Sequence, residues 1–316
     1  MKLIIQIPCL NEAKTLPATL MDLPKRIEGV EIIEYLVIDD GSTDKTVQVA
    51  KSHGVHHILS LGTNRGLATA FKLGIEHALK KNADIVVNTD ADNQYFGGDI
   101  PKLIQPIISG EADLVVGCRP IASHPEFKLT KKILQFVGSW TLRRISKTDV
   151  RDAASGFRAF SKETCGKIFI HSKFSYCMET LIQAGNSGLR VCSVNIRINP
   201  KTRESRLFKS TFQYLVKSGG TMLAMFFLYR PGRFFASIAN VFLLISFTIG
   251  IRYIYYAFFT SDFSGGKIQS LILLAVFAFA SFSLYSLAVI GELLKANRKI
   301  LEAILTKKKE EKPHDY

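Results

Sequence analysis

A chain of 316 residues can hold one folded domain of roughly 200 residues together with a second, smaller part. Its composition changes near residue 207, where a mixture of charged and apolar residues gives way to long stretches of Phe, Leu, Ile, Ala and Tyr. The net charge of +14 lies partly in basic residues that flank these stretches, an arrangement typical of contact with anionic lipid headgroups. Apolar stretches of this length argue against a nucleic-acid-binding protein.

The five cysteines are scattered and odd in number, and they form no C-x-x-C pair. This pattern argues against a zinc site and against a disulfide framework, and it favours reduced thiols facing a cytosol. The first apolar run, residues 3–7, is short and is broken by Pro8, so we expect no signal peptide.

Short runs rich in β-branched residues predict buried strands at residues 3–7, 32–38, 55–59, 84–89, 113–117 and 190–198. Helical stretches separate them, for example over about 66–81 and 99–109. Strand and helix therefore alternate along the first part of the chain. This alternation predicts an α/β domain with a doubly wound, mostly parallel sheet and right-handed crossovers. A basic helix over 128–147 and a turn of small residues from Asp152 are expected to follow.

Acidic or basic side chains follow the carboxyl ends of four of these strands: Glu12, Asp39 and Asp40, Asp90 and Asp92, and Arg119. Because the carboxyl ends of parallel strands meet at one edge of the sheet, where ligands bind in open α/β folds, we predict a catalytic cleft there. Asp90 and Asp92 could both face one divalent ion, with a bound diphosphate supplying the remaining oxygens. Taken alone, such a pair is more often a polar turn in which Asp90 caps the next helix.

Other polar groups near this edge are open to two interpretations. Asn11 and Glu12 could bind a nucleobase edge or cap the following helix, and capping is the better explanation of either residue alone. Asp39 could accept a hydrogen bond from a ribose hydroxyl or from a base N–H. The histidines of residues 53–57 show loose spacing and no evident carboxylate partner, so we expect them at the surface or partly buried.

The domain boundaries follow from the change in composition. Residues 1–206 form the α/β domain, and the segment 207–232 predicts an amphipathic helix at a bilayer surface. Two apolar stretches, about 234–256 and 268–290 within the part 233–291, are long enough to cross the hydrocarbon core. Their basic flanks predict a transmembrane hairpin with both termini cytoplasmic, followed by a charged tail over 292–316.

Five short motifs, in this order, resemble those of family 2 glycosyltransferases with the GT-A fold. They are Ile7-Pro8-Cys9-Leu10-Asn11-Glu12, Val37-Ile38-Asp39-Asp40-Gly41-Ser42-Thr43-Asp44, Asn64-Arg65-Gly66, Thr89-Asp90-Ala91-Asp92 and Ser155-Gly156-Phe157-Arg158. Within this family the chain is similar to the polyprenyl-phosphate hexose synthases, that is, dolichol-phosphate mannose synthases and their bacterial relatives. The resemblance covers residues 5–210, and the two apolar spans fit the branch that carries a membrane hairpin. It implies a UDP- or GDP-linked sugar as donor and a polyprenyl monophosphate as acceptor.

The resemblance also implies roles for individual residues. Nucleotide contacts are implied for Pro8, Leu10, Asn11, Glu12, Asp39, Asp90 and Ala91, and contacts to Mg²⁺ or Mn²⁺ for Asp90, Asp92 and Gln94. Acceptor-phosphate contacts are expected for Arg119, Lys131, Lys132 and Ser139, and a basic loop over the diphosphate for Arg203, Arg206 and Lys209. The expected catalytic residues are Asp92, Arg119 and Arg203. Leu10 stands where the family often has a tyrosine.

The implied reaction needs no dedicated general base, because a polyprenyl monophosphate is largely ionised at neutral pH. The metal and Arg203 would stabilise the negative charge that develops on the leaving diphosphate. In-line attack by the acceptor phosphate implies inversion at the anomeric carbon. The enzyme would act at the cytoplasmic face of an inner membrane.

Two other functions remain open. A processive polysaccharide synthase of the same fold usually needs more spans and a Gln-x-x-Arg-Trp motif, whereas the only tryptophan here is Trp140, in a different setting. A non-catalytic membrane scaffold would have no need of Asp90, Asp92, Arg119 and Arg203. We also expect a homo-oligomer, with a tetramer as one candidate, in which Gly, Ser and Ala positions of the hairpin pack between copies.

Overall fold

The computed structural model describes residues 1–120, 139–140, 142–144, 146–170, 176–200, 219–220, 223–224, 226–227, 229–259 and 266–311. Contacts within the chain define two compact units, of which the second is Leu223–Ile304. The first unit contains a seven-stranded sheet, and the second contains two long helices. Five residues with expected roles lie outside the described residues: Lys131, Lys132, Arg203, Arg206 and Lys209.

The strands of the first unit are β1 Lys2–Cys9, β2 Ile32–Asp39, β3 His57–Ser60, β4 Ile85–Asn88, β5 Leu114–Cys118, β6 Arg158–Ser161 and β7 Val191–Asn195. Their order across the sheet is β3-β2-β1-β4-β6-β5-β7. Neighbouring strands pair in parallel except around β6, which is antiparallel to both β4 and β5. The six strands expected from the sequence are present, and the prediction of a mostly parallel α/β sheet is confirmed.

The helices of the first unit are α1 Leu16–Asp22, α2 Thr46–Ser52, α3 Leu67–Lys80, α4 Ile100–Ile108, α5 Lys162–Lys167 and α6 Tyr176–Asn186. They pack on the sheet and explain why its central strands are apolar on both faces. β1 is buried from Leu3 to Cys9, and β4 is buried along its whole length. Burying one Leu or Ile side chain contributes about 1.5–3 kcal/mol, so this layer is a main source of stability.

β6 is the strand that the sequence does not indicate. It has only four residues and starts with an arginine, and charged residues are rarely buried. Its partners lie far away in the chain: Ala159 pairs with Val87 of β4 on one side and with Val115 of β5 on the other. A strand that depends on two distant neighbours leaves no periodic signal in its own sequence.

The strand order places a crevice beside β1. After β1 the chain adds β2 and β3 on one side, and α3 then leads to β4 on the other side of β1. The loops that leave β1 and β4 therefore diverge around an opening at the carboxyl edge of the sheet. Asn11 and Glu12 follow β1 at this opening, and Asp90 and Asp92 follow β4.

The second unit consists mainly of helix α7 Pro231–Phe259 and the larger part of helix α8 Gly266–Glu311. Both are long and apolar enough to cross a bilayer. The two apolar stretches predicted from the sequence lie inside these helices. Their large side chains are mostly exposed, as expected of a surface that faces lipid, for example Phe247 and Phe279.

Three small residues of this hairpin lie between its own two helices. Ala239 is fully buried, and its carbonyl oxygen accepts a hydrogen bond from the Ser281 hydroxyl at 2.9 Å. The Ser246 hydroxyl donates to the carbonyl oxygen of Leu274 at 3.1 Å. Small side chains allow two helix backbones to approach closely. Ala239, Ser246 and Ser281 therefore serve contacts inside one hairpin, and the expected packing of Gly, Ser and Ala positions between copies stays a prediction.

Candidate active site

Asn11 joins the loop after β1 to the loop after β2. Its side-chain oxygen accepts hydrogen bonds from the backbone N–H groups of Thr43 (2.8 Å) and Asp44 (3.3 Å), and its own N–H donates to Ser42 Oγ (2.9 Å). Asn11 has a left-handed backbone with a φ of 56°, which asparagine adopts more readily than most residues. The contacts of Asn11 therefore run along the crevice, between two loops. The N-cap residue of α1 is Thr15, and it makes no side-chain capping bond.

Two buried aspartates fasten the loops that follow β2 and β3. Asp39 accepts hydrogen bonds from the Ser42 N–H (3.1 Å) and from the Ser60 hydroxyl (3.0 Å). Asp40 accepts from two backbone N–H groups of the loop before α3, at 2.7 and 2.9 Å. A carboxylate oxygen can accept two hydrogen bonds, so Asp39 keeps acceptor capacity for a ribose hydroxyl or a base N–H.

Asp90 and Asp92 lie in a tight turn directly after β4. Asp92 Oδ1 accepts a hydrogen bond from the backbone N–H of Gln94 at 3.1 Å. Ala91, between the two aspartates, is buried, and its carbonyl oxygen accepts from the Thr19 hydroxyl at 3.1 Å. The segment therefore forms a polar turn, which is one of the two interpretations of its sequence. The same turn places both half-buried carboxylates at the crevice.

Arg119, at the end of β5, forms a two-pronged ion pair with Asp152. Nε of Arg119 lies 2.7 Å from Asp152 Oδ2, and Nη2 lies 3.0 Å from Oδ1. The side chains are only 13% and 3% exposed. Burial alone would lower the pKa of Arg119, but Tyr95, Asp152 and Asp90 outweigh it and hold the pKa above its usual value. A permanently charged guanidinium therefore lies within the electrostatic reach of Asp90.

Arg158 holds the loop that carries Asp152. This side chain is fully buried, and its guanidinium donates to the carbonyl oxygens of Ala153 (2.8 Å), Ser155 (2.8 Å) and Cys177 (2.7 Å). Planar guanidinium groups with several donors are suited to fixing backbone carbonyls in this way. Arg158 therefore supports the Arg119–Asp152 pair indirectly, because it fixes the loop that carries Asp152.

A layer of hydrogen-bonded groups lies beneath the site. Asn88 Nδ2 donates to the Gly156 carbonyl oxygen and to the Tyr176 hydroxyl, each at 2.9 Å, and Gln6 Nε2 donates to Asn88 Oδ1 at 3.0 Å. The Gly156 N–H donates to the Tyr95 hydroxyl at 2.9 Å. Burial raises the pKa of Tyr95, so its phenol stays protonated at neutral pH. This layer connects β1 and β4 to the loop before β6.

The segment after β7 is attached to the turn that contains the aspartates. The backbone N–H of Asn199 donates to the Gln94 carbonyl oxygen at 2.9 Å, and the backbone N–H of Arg197 donates to Asp99 Oδ2 at 2.7 Å. Nη2 of Arg197 lies 2.7 Å from Asp99 Oδ1. Asn199, four residues before Arg203 in the sequence, is therefore held beside Gln94.

The remaining residues with expected roles occupy different positions. Pro8 is buried in β1, and Leu10 is half-buried just after it. The carboxylate of Glu12 accepts a hydrogen bond from the Thr15 hydroxyl at 2.6 Å. Ser139 is only 4% exposed, so it lies inside the domain. Of the catalytic residues expected from the sequence, the structure brings together Arg119 and the turn of Asp92.

Several residues of the site are not identified from the sequence alone. Asp152, Tyr95 and Tyr176 had no role assigned, although Asp152 begins the stretch that ends in the recognised Ser-Gly-Phe-Arg motif. An acidic residue just before that motif is the available signal. The tyrosines give none, because their contacts to Gly156 and Asn88 join residues 61 and 88 positions apart.

The two aspartates fit a divalent ion that a substrate helps to bind. Within the described part of the chain, no group of three or more His, Cys, Asp or Glu side chains could hold a metal. Mg²⁺ often uses one or two protein carboxylates, and phosphate oxygens and water complete its shell. Gly156 keeps the space beside Asp90 open, since a Cβ there would lie 3.2 Å from Asp90 Oδ1.

The mixed sheet with its acidic carboxyl edge defines a GT-A-like fold. Glucosyl-3-phosphoglycerate synthase from Mycobacterium tuberculosis, solved with Mn²⁺, UDP and glucosyl-3-phosphoglycerate, is similar to this chain with a TM-score of 0.54 and 19% identity. The match covers 71% of this chain and 78% of that one. The same enzyme has also been solved with Mg²⁺ and UDP.

The family follows from the sequence match. Residues 4–169, more than half of the chain, match the model described as glycosyl transferase family 2, and the chain belongs to that family. It is 30% identical to UDP-N-acetylglucosamine–dolichyl-phosphate N-acetylglucosaminyltransferase of Methanococcus voltae, over 60% of this chain and 83% of that protein. It is 28% identical to undecaprenyl-phosphate mannosyltransferase of Micrococcus luteus, over 62% and 83% of the two chains.

Proposed function

We propose that this protein is an inverting glycosyltransferase that moves a hexose from a UDP- or GDP-linked donor to a polyprenyl monophosphate at the membrane. The observation that carries the proposal is the carboxyl edge of the sheet, where the Asp90–Asp92 turn lies beside the charged Arg119. Family membership and relatives named for polyprenyl-phosphate acceptors support this choice of acceptor.

The donor would lie across the crevice between β1 and β4. Pro8, Leu10, Asn11, Glu12 and Asp39 would surround the nucleoside, and the Asp90–Ala91–Asp92 turn would face the diphosphate. Asp90, Asp92 and Gln94 would hold Mg²⁺ or Mn²⁺, which supplies positive charge for the leaving diphosphate. Residues of the crevice would thus bind the donor through groups that are already fixed by hydrogen bonds, which reduces the entropy lost on binding.

Arg119 would position the acceptor phosphate. One phosphate oxygen attacks the anomeric carbon, a new carbon–oxygen bond forms, and the bond to the diphosphate breaks, so that the nucleoside diphosphate leaves. The attacking oxygen already carries negative charge, so no side chain has to accept a proton. Attack opposite to the leaving group inverts the anomeric configuration.

Basic residues outside the described part of the chain complete this proposal. Lys131 and Lys132, together with Ser139, would contact the acceptor phosphate. Arg203, Arg206 and Lys209 follow the segment that is attached beside Gln94, and they would lie over the diphosphate. Arg203 is four residues from Asn199, a distance that an extended chain covers within about 14 Å.

The two membrane-length helices would anchor the enzyme. Basic residues at the N-terminal end of α7 and towards the C-terminal end of α8 favour a hairpin with both termini and the catalytic domain in the cytoplasm. The acceptor lipid and the enzyme would then share one membrane surface. A homo-oligomer, with a tetramer as one candidate, remains part of the proposal.

The test is release of nucleotide by purified protein in detergent, with Mg²⁺ or Mn²⁺, a panel of UDP- and GDP-sugars, and polyprenyl phosphate added or withheld. We expect release from one donor that requires both lipid and metal. The Asp92→Asn variant should lose at least about 100-fold in kcat/KM. The matched control is Glu31→Gln, which changes an exposed carboxylate outside the site and should retain full activity.

Two results would contradict the proposal. Release without lipid would indicate hydrolysis or another acceptor. Full activity of Asp92→Asn, or no release with any donor while the protein remains folded, would favour a membrane scaffold or an acceptor of another class.

A further inference from the structure

We infer that an exposed face formed by Trp140, Arg144 and Lys147 docks on anionic lipid headgroups. We call it the Trp140 face. This inference goes beyond the proposed function, because it concerns how the sheet-containing domain meets a membrane and does not depend on which reaction it performs.

Trp140 and Arg144 lie on one side of a helical stretch, and Lys147 directly follows its last helical residue. Residues 139–146 are helical wherever they are described, and Trp140 and Arg144 follow the i, i+4 spacing of a single helix face. Lys147 has a left-handed backbone with a φ of 59°, which ends the helix next to this face. All three are exposed, and Trp140 is 49% exposed. The guanidinium carbon of Arg144 lies 5.6 Å from the centre of the Trp140 ring, so the indole and the positive charge share one surface.

The opposite side of the same stretch is buried. Ser139, Leu142 and Ser146 are 4%, 1% and 0% exposed. The stretch is thus fixed to the domain by its inner side, and the orientation of the outer side is set by that packing. Because the inner side of the stretch is fixed in this way, the exposed Trp140 ring is available to contact a partner outside the domain.

The charges on this face match a lipid surface. Asp149, two residues after Lys147, pairs with a third basic residue, since its Oδ1 lies 3.6 Å from Nη1 of Arg143. Among the described residues, neither Arg144 nor Lys147 takes part in an ion pair. Two basic side chains next to an indole match an anionic headgroup layer, where the ring lies at the polar–apolar boundary and the cations meet phosphates.

A lipid surface is also the partner that is always present. The chain carries two helices long and apolar enough to cross a bilayer. A domain attached to such helices meets headgroups at high effective concentration. Even a face of three residues can then contribute to docking, although it would bind free vesicles weakly as an isolated domain.

The chain provides its own probe for the test, because Trp140 is its only tryptophan. The full-length protein is placed in nanodiscs of phosphatidylcholine alone or of phosphatidylcholine with phosphatidylglycerol, each with or without brominated acyl chains. We expect blue-shifted emission and strong bromine quenching in the discs with phosphatidylglycerol, and weaker quenching in the neutral discs.

Variants separate the role of charge from that of membrane attachment. Each basic residue near an anionic surface favours docking by about fivefold, so a double variant with Arg144→Gln and Lys147→Gln should weaken docking about 25-fold and return quenching to the neutral level. The matched control, Lys80→Gln with Lys81→Gln, removes two exposed lysines at the C-terminal end of α3 and should quench like the unmodified protein.

Three results would overturn the inference. Quenching could be absent from both kinds of disc, or it could be the same in both and unchanged by the double variant. Alternatively, Trp140 could already be shielded from a soluble quencher in detergent, which would assign the face to a protein contact. Size-exclusion profiles and melting temperatures establish that the variants are folded, and the readout does not involve sugar transfer.

Discussion

Gly156 lies where the loop before β6 meets the turn after β4. Its N–H is bonded to Tyr95 and its carbonyl oxygen to Asn88, so its backbone position is fixed from both sides. A Cβ at this position would lie 2.8 Å from the Tyr176 hydroxyl and 3.2 Å from Asp90 Oδ1. The missing side chain therefore determines how much room Asp90 has.

Replacing Gly156 by alanine tests this room. We expect the Gly156→Ala variant to displace Asp90 and to raise the metal concentration needed for half-maximal activity by about tenfold or more, since shifts in the support of a metal ligand cost 10–100-fold. A metal titration of activity measures the effect. Gly166→Ala is the control, because its Cβ would meet nothing within 4 Å. Identical titration curves for the two variants would contradict the role of Gly156.

At the scale of single residues, the sequence predicts the position of those that directly follow a strand. Asp90, Asp92 and Arg119 were expected at the carboxyl edge because each directly follows a strand, and the structure places them there. Asp152 and Arg158 were not assigned, since their function lies in contacts with distant partners. Asp152 meets Arg119 across 33 positions, and a charged side chain as deeply buried as Arg158 is an exception to ordinary burial preferences.

Two similar arginine–aspartate pairs stand at the two ends of β7. Arg197, after the strand, binds Asp99 through its backbone N–H and its guanidinium, each at 2.7 Å. Arg190, before the strand, binds Asp113 in the same manner, at 2.8 and 2.7 Å. Although burial alone would raise the pKa of Asp99, hydrogen bonds from Arg197 and Lys102 hold it below its usual value. Only the first pair lies at the edge that carries the candidate site.

This duplication allows an internal comparison. Arg197→Gln and Arg190→Gln each remove one exposed guanidinium from an aspartate, and we expect both to lower the melting temperature by a few degrees. Only Arg197→Gln should also raise the KM for the nucleotide sugar, by about tenfold, because it loosens the segment attached beside Gln94. Steady-state kinetics and thermal melts measure the two effects. Equal KM values in the two variants would contradict the positioning role of Arg197.

Elements were predictable where their own residues show a pattern. The strands with continuous β-branched runs, and the apolar helices of the second unit, follow from local sequence. β6 does not, because it is defined by β4 and β5 on its two sides. The contact between Ala239 and Ser281 inside the hairpin is likewise not predictable, since composition identifies small residues but not their partners.

The first unit carries different chemistry at its two edges. The candidate site occupies the carboxyl edge, and the opposite edge carries a group of titratable residues around β3. His57 Nε2 lies 2.8 Å from Glu34 Oε2, so the expectation of histidines without a carboxylate partner is wrong for His57. The ring of His77 packs against His57 with centroids 5.5 Å apart. These titratable residues therefore lie apart from the candidate site.

This arrangement predicts a pH dependence of stability. Burial lowers the pKa of His77, and His57, Lys81 and Lys80 lower it further by charge repulsion. The unfolded chain, in which the pKa of a histidine is about 6.5, therefore binds a proton at a higher pH than the folded chain. The stability that neutral His77 contributes is complete above about pH 6.5 and is lost as the pH falls through the lowered folded pKa.

Thermal melts at about pH 7.5 and about pH 5.5 measure this loss. The unmodified protein should lose more melting temperature between the two conditions than His77→Gln does, because glutamine does not titrate. His53→Gln is a matched control, since His53 is exposed and should leave the loss unchanged. The same loss in all three proteins would exclude His77 as its source.

The last strand of the sheet is synthesised before the first membrane-length helix. β7 completes the sheet and ends at Asn195, whereas the first membrane-length helix begins at Pro231. At about 5–20 residues per second, the ribosome needs about 2–7 seconds to synthesise the stretch between them. Mixed α/β domains fold within milliseconds to seconds. The nascent chain can therefore close its sheet before the first membrane-length helix leaves the ribosome, so that its buried strands are hidden before membrane insertion begins.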